Sequence, residues 1–275
     1  MKLNVSVVLF QHPVTEVNAL VELLLKSDVV AEIFLVDNSP ASTDAYLKLP
    51  VSYIFNGYNL GYGAAHNIAL RKSIISDASY HLVVNPDISF VPEILTNIIG
   101  FMDKNTDIGQ LMPKVFYPTG EIQYLCKLLP TPFDLIFRRF LPQKWINKRT
   151  EIFEMKASGY NRIMDVPYLS GCFMFFRTSA LQTVGLFDER FFMYPEDIDI
   201  TRRMHAKYRT VFYPQVSIVH HHAKSSYLNF KMLTIHTFNM IKYFNKWGWF
   251  FDKERKAINN KIKATLTENQ QNKKC

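Results

Sequence analysis

Apolar residues in the first third of the chain follow two alternating rhythms. LNVSVVLF (3–10), EIFLVDNS (32–39), VSYIF (51–55) and YHLVV (80–84) are short apolar, β-rich runs, bounded by polar or turn-forming residues. Between them, TEVNALVELLLKS (15–27) sets Val17, Leu20, Val21 and Leu24 at helical spacing behind Thr15 as N-cap. GAAHNIALRKSII (63–75) reads as a second helix, opened by a glycine-bearing turn. Strands alternating with helices predict an α/β fold, a mostly parallel sheet with helices on both faces. Ligands of such sheets bind beyond the carboxyl ends of the strands. That rule selects Asp37-Asn38-Ser39, the stretch 56–67, and Asn85-Pro86-Asp87.

Further on, residues 113–165 are irregular and carry Pro113, Pro118, Pro130, Pro132 and Pro142, so they are expected to leave the sheet. VPYLSGCFMFFRTSAL (166–181) predicts a strand running into a helix, and FFMYPEDIDITRRMHAKY (191–208) a turn entering a helix. RTVFYPQVSIVHHH (209–222) reads as two short strands. The polar end, TENQQNKKC, is expected to fray.

Composition narrows the picture in a few places. A net charge of +8 favours nucleic acid, anionic lipid or phosphorylated ligands without choosing among them. Cys126, Cys172 and Cys275 are too scattered for a disulfide framework, which agrees with a reducing compartment. No apolar run reaches the roughly 18 residues of a membrane span. MKLNVSVVLF alternates like a first strand and shows no small-residue cleavage site, so a cytoplasmic protein is expected.

Four features offer chemistry, and each has an ordinary structural alternative. Asp87 ends a strand, where a turn acid often bonds its own backbone. Glu196, Asp197 and Asp199 follow Pro195, as helix N-terminal acids do, but the apolar FFMY before them suits the wall of a cleft. His220-His221-His222 ends a strand and could join carboxylates on a divalent metal. NGYNLGYGAAHN (56–67) has glycines before a helix but matches no standard phosphate-loop spacing.

Together, and in order, these stretches resemble a known family. VSVVLF, FLVDNSPAST, NGYNLGYGAAHNIAL, LVVNPDISF, YLSGCFMFFRTSAL, GLFDERFFMYPEDIDITRR and VHHHAKSS are similar to successive motifs of bacterial family 2 glycosyltransferases of the GT-A fold, especially the rhamnosyltransferase-like branch. The resemblance spans about residues 3–227. It implies a GT-A domain over 1–230, with a nucleotide-sugar half (1–112) and an acceptor half (113–230), and a C-terminal helical, basic-aromatic extension (231–275). LVVNPDISF departs from the family's DxD pattern, because Asn85 stands in place of its first acid.

What the resemblance implies for the residues is specific. Asp87 and His220 would hold Mg2+ or Mn2+, with the donor diphosphate completing the shell. Asp197 would be the general base, with Glu196 and Asp199 orienting the acceptor or neighbouring positive groups. Asp37, Asn38, Asn59, Gly61, Asn67 and Asn85 would line the nucleotide-sugar site, and Arg202 would neutralise phosphate or serve as a salt-bridge partner. The implied activity is inverting transfer of rhamnose from dTDP-rhamnose, or of a hexose from a UDP-sugar. Its acceptor would be a saccharide or lipid-linked saccharide of bacterial surface polysaccharide synthesis.

FRRFLPQKWINKR (137–149) and IKYFNKWGWFFDKERK (241–256) mix Lys and Arg with aromatics. Such segments suit the inner face of a cell membrane, the protein's own core, or a homodimer interface. A nucleic-acid partner is not expected, because nothing in such binding requires the acid clusters. A nucleotidyltransferase would carry a glycine- and basic-rich signature after its first strand, where FQHPVTEV stands instead. The alternative kept is a non-catalytic nucleotide-sugar or membrane-surface binding protein of the same fold.

Overall fold

The computed structural model describes residues 2–136, 141–221 and 230–271. Residues 137–140 of the basic-aromatic segment, His222 to Ser226 of the histidine-to-serine segment, and the last four residues lie outside the described residues.

The first half builds as its pattern predicts. Strands β1 (Leu3–Leu9), β2 (Val30–Asp37), β3 (Ser52–Phe55) and β4 (Tyr80–Val84) alternate with helices α1 (Val14–Leu25) and α2 (Tyr62–Ile75). Helix α1 begins behind Pro13, so Thr15 lies inside it and is not its cap. Proline at that place presets φ and needs no N–H, which removes the need for a side-chain cap. Where the pattern assigns nothing, between 88 and 112, the chain forms β5 (Ile88–Ser89), α3 (Glu93–Lys104) and the start of β6 (Ile108–Phe116).

The second half forms β7 (Cys126–Lys127), α4 (Pro132–Leu135), α5 (Gln143–Phe153), β8 (Met164–Asp165) and β9 (Tyr168–Leu169). It continues through β10 (Phe173–Arg177), α6 (Thr178–Val184), α7 (Glu196–His205) and β11 (Arg209–His220). Helices α8 (Phe230–Trp247) and α9 (Lys253–Gln271) close the described chain. The irregular middle therefore leaves the sheet only in part, since β6 and β8 belong to it. Rather than two short strands, 209–220 form one, with an irregular step between Tyr213 and Ser217 that accommodates Pro214.

The sheet runs β3-β2-β1-β4-β10-β6-β11-β5, with β8 also pairing β11. Strands β3, β2, β1 and β4 are parallel; β10 is antiparallel between β4 and β6, and β11 is parallel to β6. Strand β10 joins the two halves, so the ends of β2, β4 and β11 open toward one edge of the sheet.

Period-two alternation sorts β1 between two cores. Leu3, Val5, Val7 and Leu9 pack into the core that holds the α1 and α3 side chains. Asn4 and Ser6 face α2, where Ser6 Oγ lies 2.7 Å from His66 Nδ1 and 2.8 Å from His81 Nε2. Ser73 Oγ continues the chain to His81 Nδ1 at 2.7 Å and accepts from Asn4 Nδ2 at 3.0 Å. Burial holds both histidines well below the usual imidazole range, that of His81 down to about 3.

The C-terminal helices share a core with the rest. Met240, Tyr243 and Phe244 of α8 and Ile262 of α9 pack with Phe191, Ile198 and Phe212. Arg202 of α7, 1% exposed, donates to both oxygens of Asp252 at 2.7 and 2.9 Å and to Glu254 at 2.7 Å. Its guanidinium sits 4.0 Å from the Trp247 ring centroid. Arg202 is thus the salt-bridge partner of the two alternatives, and its phosphate role is corrected: the oxygens it bonds belong to Asp252, just before α9, and Glu254, at its start.

Arg202→Met should strand buried Asp252 and cost about 3–5 kcal/mol, lowering the thermal midpoint by roughly 10 °C. Adding Asp252→Leu should restore most of that loss. A thermal melt of the three proteins checks both steps, and an unchanged midpoint in Arg202→Met would refute the role of the pair.

Candidate active site

Strand register brings the candidate metal ligands together. Residue 87 leaves β4 through the Asn85-Pro86 turn and re-enters the sheet as β5, which pairs Ile88 with His220 and Ser89 with Val219. His221 N donates to Asp87 O at 2.9 Å. Asp87 Oδ1 and His220 Nε2 consequently face each other at 3.4 Å. Gln123 orients the imidazole: its Nε2 donates to His220 O at 2.9 Å, which turns Oε1 toward His220 Nδ1 at 3.0 Å. A carboxamide oxygen only accepts, so Nδ1 donates to it and Nε2 is the ring atom that faces the carboxylate. An imidazole nitrogen and a carboxylate oxygen aimed at one point, with the far nitrogen held by a hydrogen bond, fit a divalent cation. Among the described residues no three His, Cys, Asp or Glu side chains gather into a ready-made metal cage. Two protein ligands leave room for oxygens from a bound ligand.

The acids of α7 lie close by. Glu196 and Asp197 open the helix and are buried, 4% and 8% exposed. Asp197 Oδ2 accepts from Gly171 N at 3.0 Å, and its Oδ1 from Ile198 N at 2.7 Å. Burial pushes the Asp197 carboxyl up, opposed by the Lys127 ammonium and by those backbone donors. Burial and then the Asp197 charge push Glu196 up further. Its Oε2 is enclosed with no hydrogen-bond partner. Two adjoining carboxyls in a dry site cannot both ionise easily, so they hold at least one proton into the range of general acid-base work.

Asp199 behaves differently, and its placement among the catalytic acids is corrected. It is fully buried, and Arg203 Nε (2.9 Å), Trp247 Nε1 (2.8 Å) and the Lys246 ammonium enclose its oxygens. It holds neighbouring positive groups, one of the two roles the resemblance implies for it, and its carboxylate is fully enclosed.

The loop before α2 is clamped to the segment ahead of α7. Gly61 has φ +88°, and a Cβ there would lie 2.3 Å from Phe192 O. Its N–H goes to Asn59 Oδ1 at 2.9 Å, and Tyr62 N donates to Phe192 O at 3.0 Å. Gly61 thus allows the close approach of two backbones, which a Cβ would block. Asn67 is also corrected. Its amide exchanges hydrogen bonds with Phe187 N and O, 3.0 and 2.9 Å, and reaches Glu189 at 2.9 Å, all at a buried position. Nearer the strand ends, Asn38 bonds Asn56, Asn59 and Gly61 O, and so ties β2 to the α2 loop. Asp37 accepts from Ser39 N at 2.9 Å and Tyr53 Oη at 2.8 Å, which shapes the turn at the end of β2.

Motif reading missed the residue at the centre, Tyr62. Its hydroxyl lies 2.7 Å from Gly171 O and 3.1 Å from Asn85 Oδ1. Burial pushes it up, followed by the fields of Glu196, Cys172, Asp197 and Asp87, which places both acid groups around one phenol. The two sides of Gly171 thus link Tyr62 to Asp197. Gln123 and Lys127 were missed as well; they lie in the irregular middle, where neither spacing nor motif marks them.

Known proteins share the family and the fold of this chain. No family model matches the chain. The N-acetylglucosaminyl-diphospho-decaprenol L-rhamnosyltransferase of Mycobacterium tuberculosis is 30% identical over 223 residues, 75% of this chain and 72% of its own length. GalNAc-T7 with UDP, GalNAc and Mn2+ shares the fold with a TM-score of 0.61 at 16% identity, over 80% of this chain and 43% of that one. The mannosyltransferase PcManGT from Pyrobaculum calidifontis, with GDP-Man and Mn2+, does so at 0.55 and 17%, over 88% and 64%. The fold is that of the GT-A enzymes. The chain belongs to the family 2 glycosyltransferases, in their rhamnosyltransferase-like branch, and is a glycosyltransferase.

Two outcomes test the site. Tyr62→Phe should lower kcat about tenfold, on the order of one lost oriented hydrogen bond, with donor affinity unchanged. An equal kcat would remove Tyr62 from the site. For Glu196, the folded carboxyl holds its proton above the unfolded range, so folding is favoured at low pH. Stability falls as pH rises from the unfolded pKa through the folded one. Glu196→Gln should therefore raise the thermal midpoint at pH 8 more than at pH 5, and an equal gain at both would refute the burial argument.

Proposed function

We propose that this chain transfers a sugar from a nucleoside diphosphate to an acceptor hydroxyl by direct displacement, with Asp197 as base. The observation that carries the reading is the facing pair Asp87 and His220 at a strand end that Asn85, Tyr62 and Gly171 link to the buried Asp197. Asp87 and His220 would hold Mg2+ or Mn2+, which when bound supplies Lewis-acid charge to the leaving diphosphate. Asn85 and Asn38 border the nucleotide pocket, and Asp37 acts through the turn it shapes. Asp197, fixed by Gly171 N–H, takes the proton of the acceptor hydroxyl. General base catalysis of this kind contributes about 10²- to 10⁴-fold. Burial raises the proton affinity of that base, and its charge in turn raises that of Glu196. A single base and direct displacement give inversion at the anomeric carbon.

Residues 1–112 hold the donor in this reading, and 113–230 the acceptor. The donor is dTDP-rhamnose or a UDP-hexose, favoured by the rhamnosyltransferase relative. The acceptor is a lipid-linked saccharide, by analogy with that relative's diphospho-decaprenol. No helix among the described residues is long and apolar enough to cross a membrane. The enzyme would work in the cytoplasm, against the inner face of the cell membrane.

Thermal shifts with dTDP, UDP, GDP and CMP, with and without Mg2+ or Mn2+, test the donor site. A metal-dependent shift for dTDP or UDP should vanish in Asp87→Ala and persist in Asp197→Asn, whose turnover should fall at least about 100-fold. Unchanged turnover in Asp197→Asn would remove it as the base. No shift with any nucleotide would favour a membrane-surface binding protein instead.

A further inference from the structure

The connection between α8 and α9 exposes two consecutive phenylalanines, Phe250 at 72% and Phe251 at 98%. Exposure of this degree in a loose loop would mean little, but this turn is pinned at both ends. Before it, Trp247 donates to Asp199 at 2.8 Å and carries the Arg202 guanidinium on its ring. After it, Asp252 holds Arg202 through two bonds and accepts from Arg255 N at 2.9 Å. Across it, Arg255 donates to Trp249 O at 2.9 Å, and Gly248, at φ +96°, closes α8 with a bond to Phe244 O. Its backbone is thus fixed while the two phenyl rings project outward.

Charge near the tip points to the partner. The acids Asp252 and Glu254 are both paired with Arg202, whereas Lys253 and Lys256 are exposed. Two projecting aromatic rings beside exposed ammonium groups match the boundary between acyl chains and anionic headgroups. A convex tip needs no preformed socket in a bilayer, as it would in a protein partner. We propose that the Phe250–Phe251 turn is the point at which this protein inserts into the surface of an anionic bilayer. The inference rests on the membrane contact read above and gives it a site. Because Asp199 and Arg202 of α7 form the mount, the tip keeps a fixed relation to the helix that carries Asp197.

Co-sedimentation of the full chain with vesicles of phosphatidylcholine, alone or mixed with phosphatidylglycerol, tests this. Wild type should pellet with the mixed vesicles, and Phe250→Ser/Phe251→Ser should bind at least about tenfold more weakly. Ile75→Ser, which removes an equally exposed apolar group from α2, should bind as wild type does. Equal binding by the double variant, or no binding of wild type to either vesicle, would overturn the proposal. So would an effect of the double variant confined to oligomeric state in light scattering. Nucleotide-dependent thermal shifts in the same variant separate this failure from failure of the transferase reading, since they should be retained whatever the vesicle result.

Discussion

Two carboxyls side by side at the dry start of one helix are the constraint on which this molecule turns. Burying Glu196 and Asp197 together disfavours their charged forms, and the Lys127 ammonium and backbone N–H donors oppose this at Asp197. The rest of α7 supplies the stability that such a start lacks. One turn on, Asp199 is enclosed by Arg203, Lys246 and Trp247, and Arg202 is locked to Asp252. The acids in the first turn thus divide between two jobs that look alike in sequence. Asp197 keeps a reactive carboxyl near the strand ends, and Asp199 anchors the helix that holds it there.

That anchoring ties the C-terminal helices to the site. They clamp α7 from behind through Trp247 and Asp252, and α8 holds the approach to it, with Asn239 donating to Met193 O at 3.1 Å. In front of α7, the Gly171 peptide couples the two halves, its carbonyl toward Tyr62 and its N–H toward Asp197. A shift of the α2 loop would therefore be felt at Asp197.

Much of this was legible in the sequence. Alternating runs predicted β1 to β4, and the strand-end rule selected Asp37, Asn38, Asn85 and Asp87, all of which lie at one edge of the sheet. Helix α3 was also within reach, since Ile94, Leu95, Ile98, Ile99 and Met102 carry helical spacing. The roles of Asn67, Asp199 and Arg202 could not be decided from sequence for a different reason. Their motif positions resemble functional ones, but Phe187, Trp247 and Asp252, their partners, stand 48 to 120 positions away. Local pattern has no means of marking such contacts. Gln123 and Tyr62 escaped because a hydrogen bond to a ligand-bearing group leaves no periodicity behind.

The most direct test of the account is the anomeric configuration of the first product, read by proton NMR from the purified enzyme with its donor and a synthetic acceptor. One positioned base and direct displacement predict an anomeric centre inverted relative to the donor. A product with retained configuration would contradict the assignment of Asp197 as a base in a single displacement.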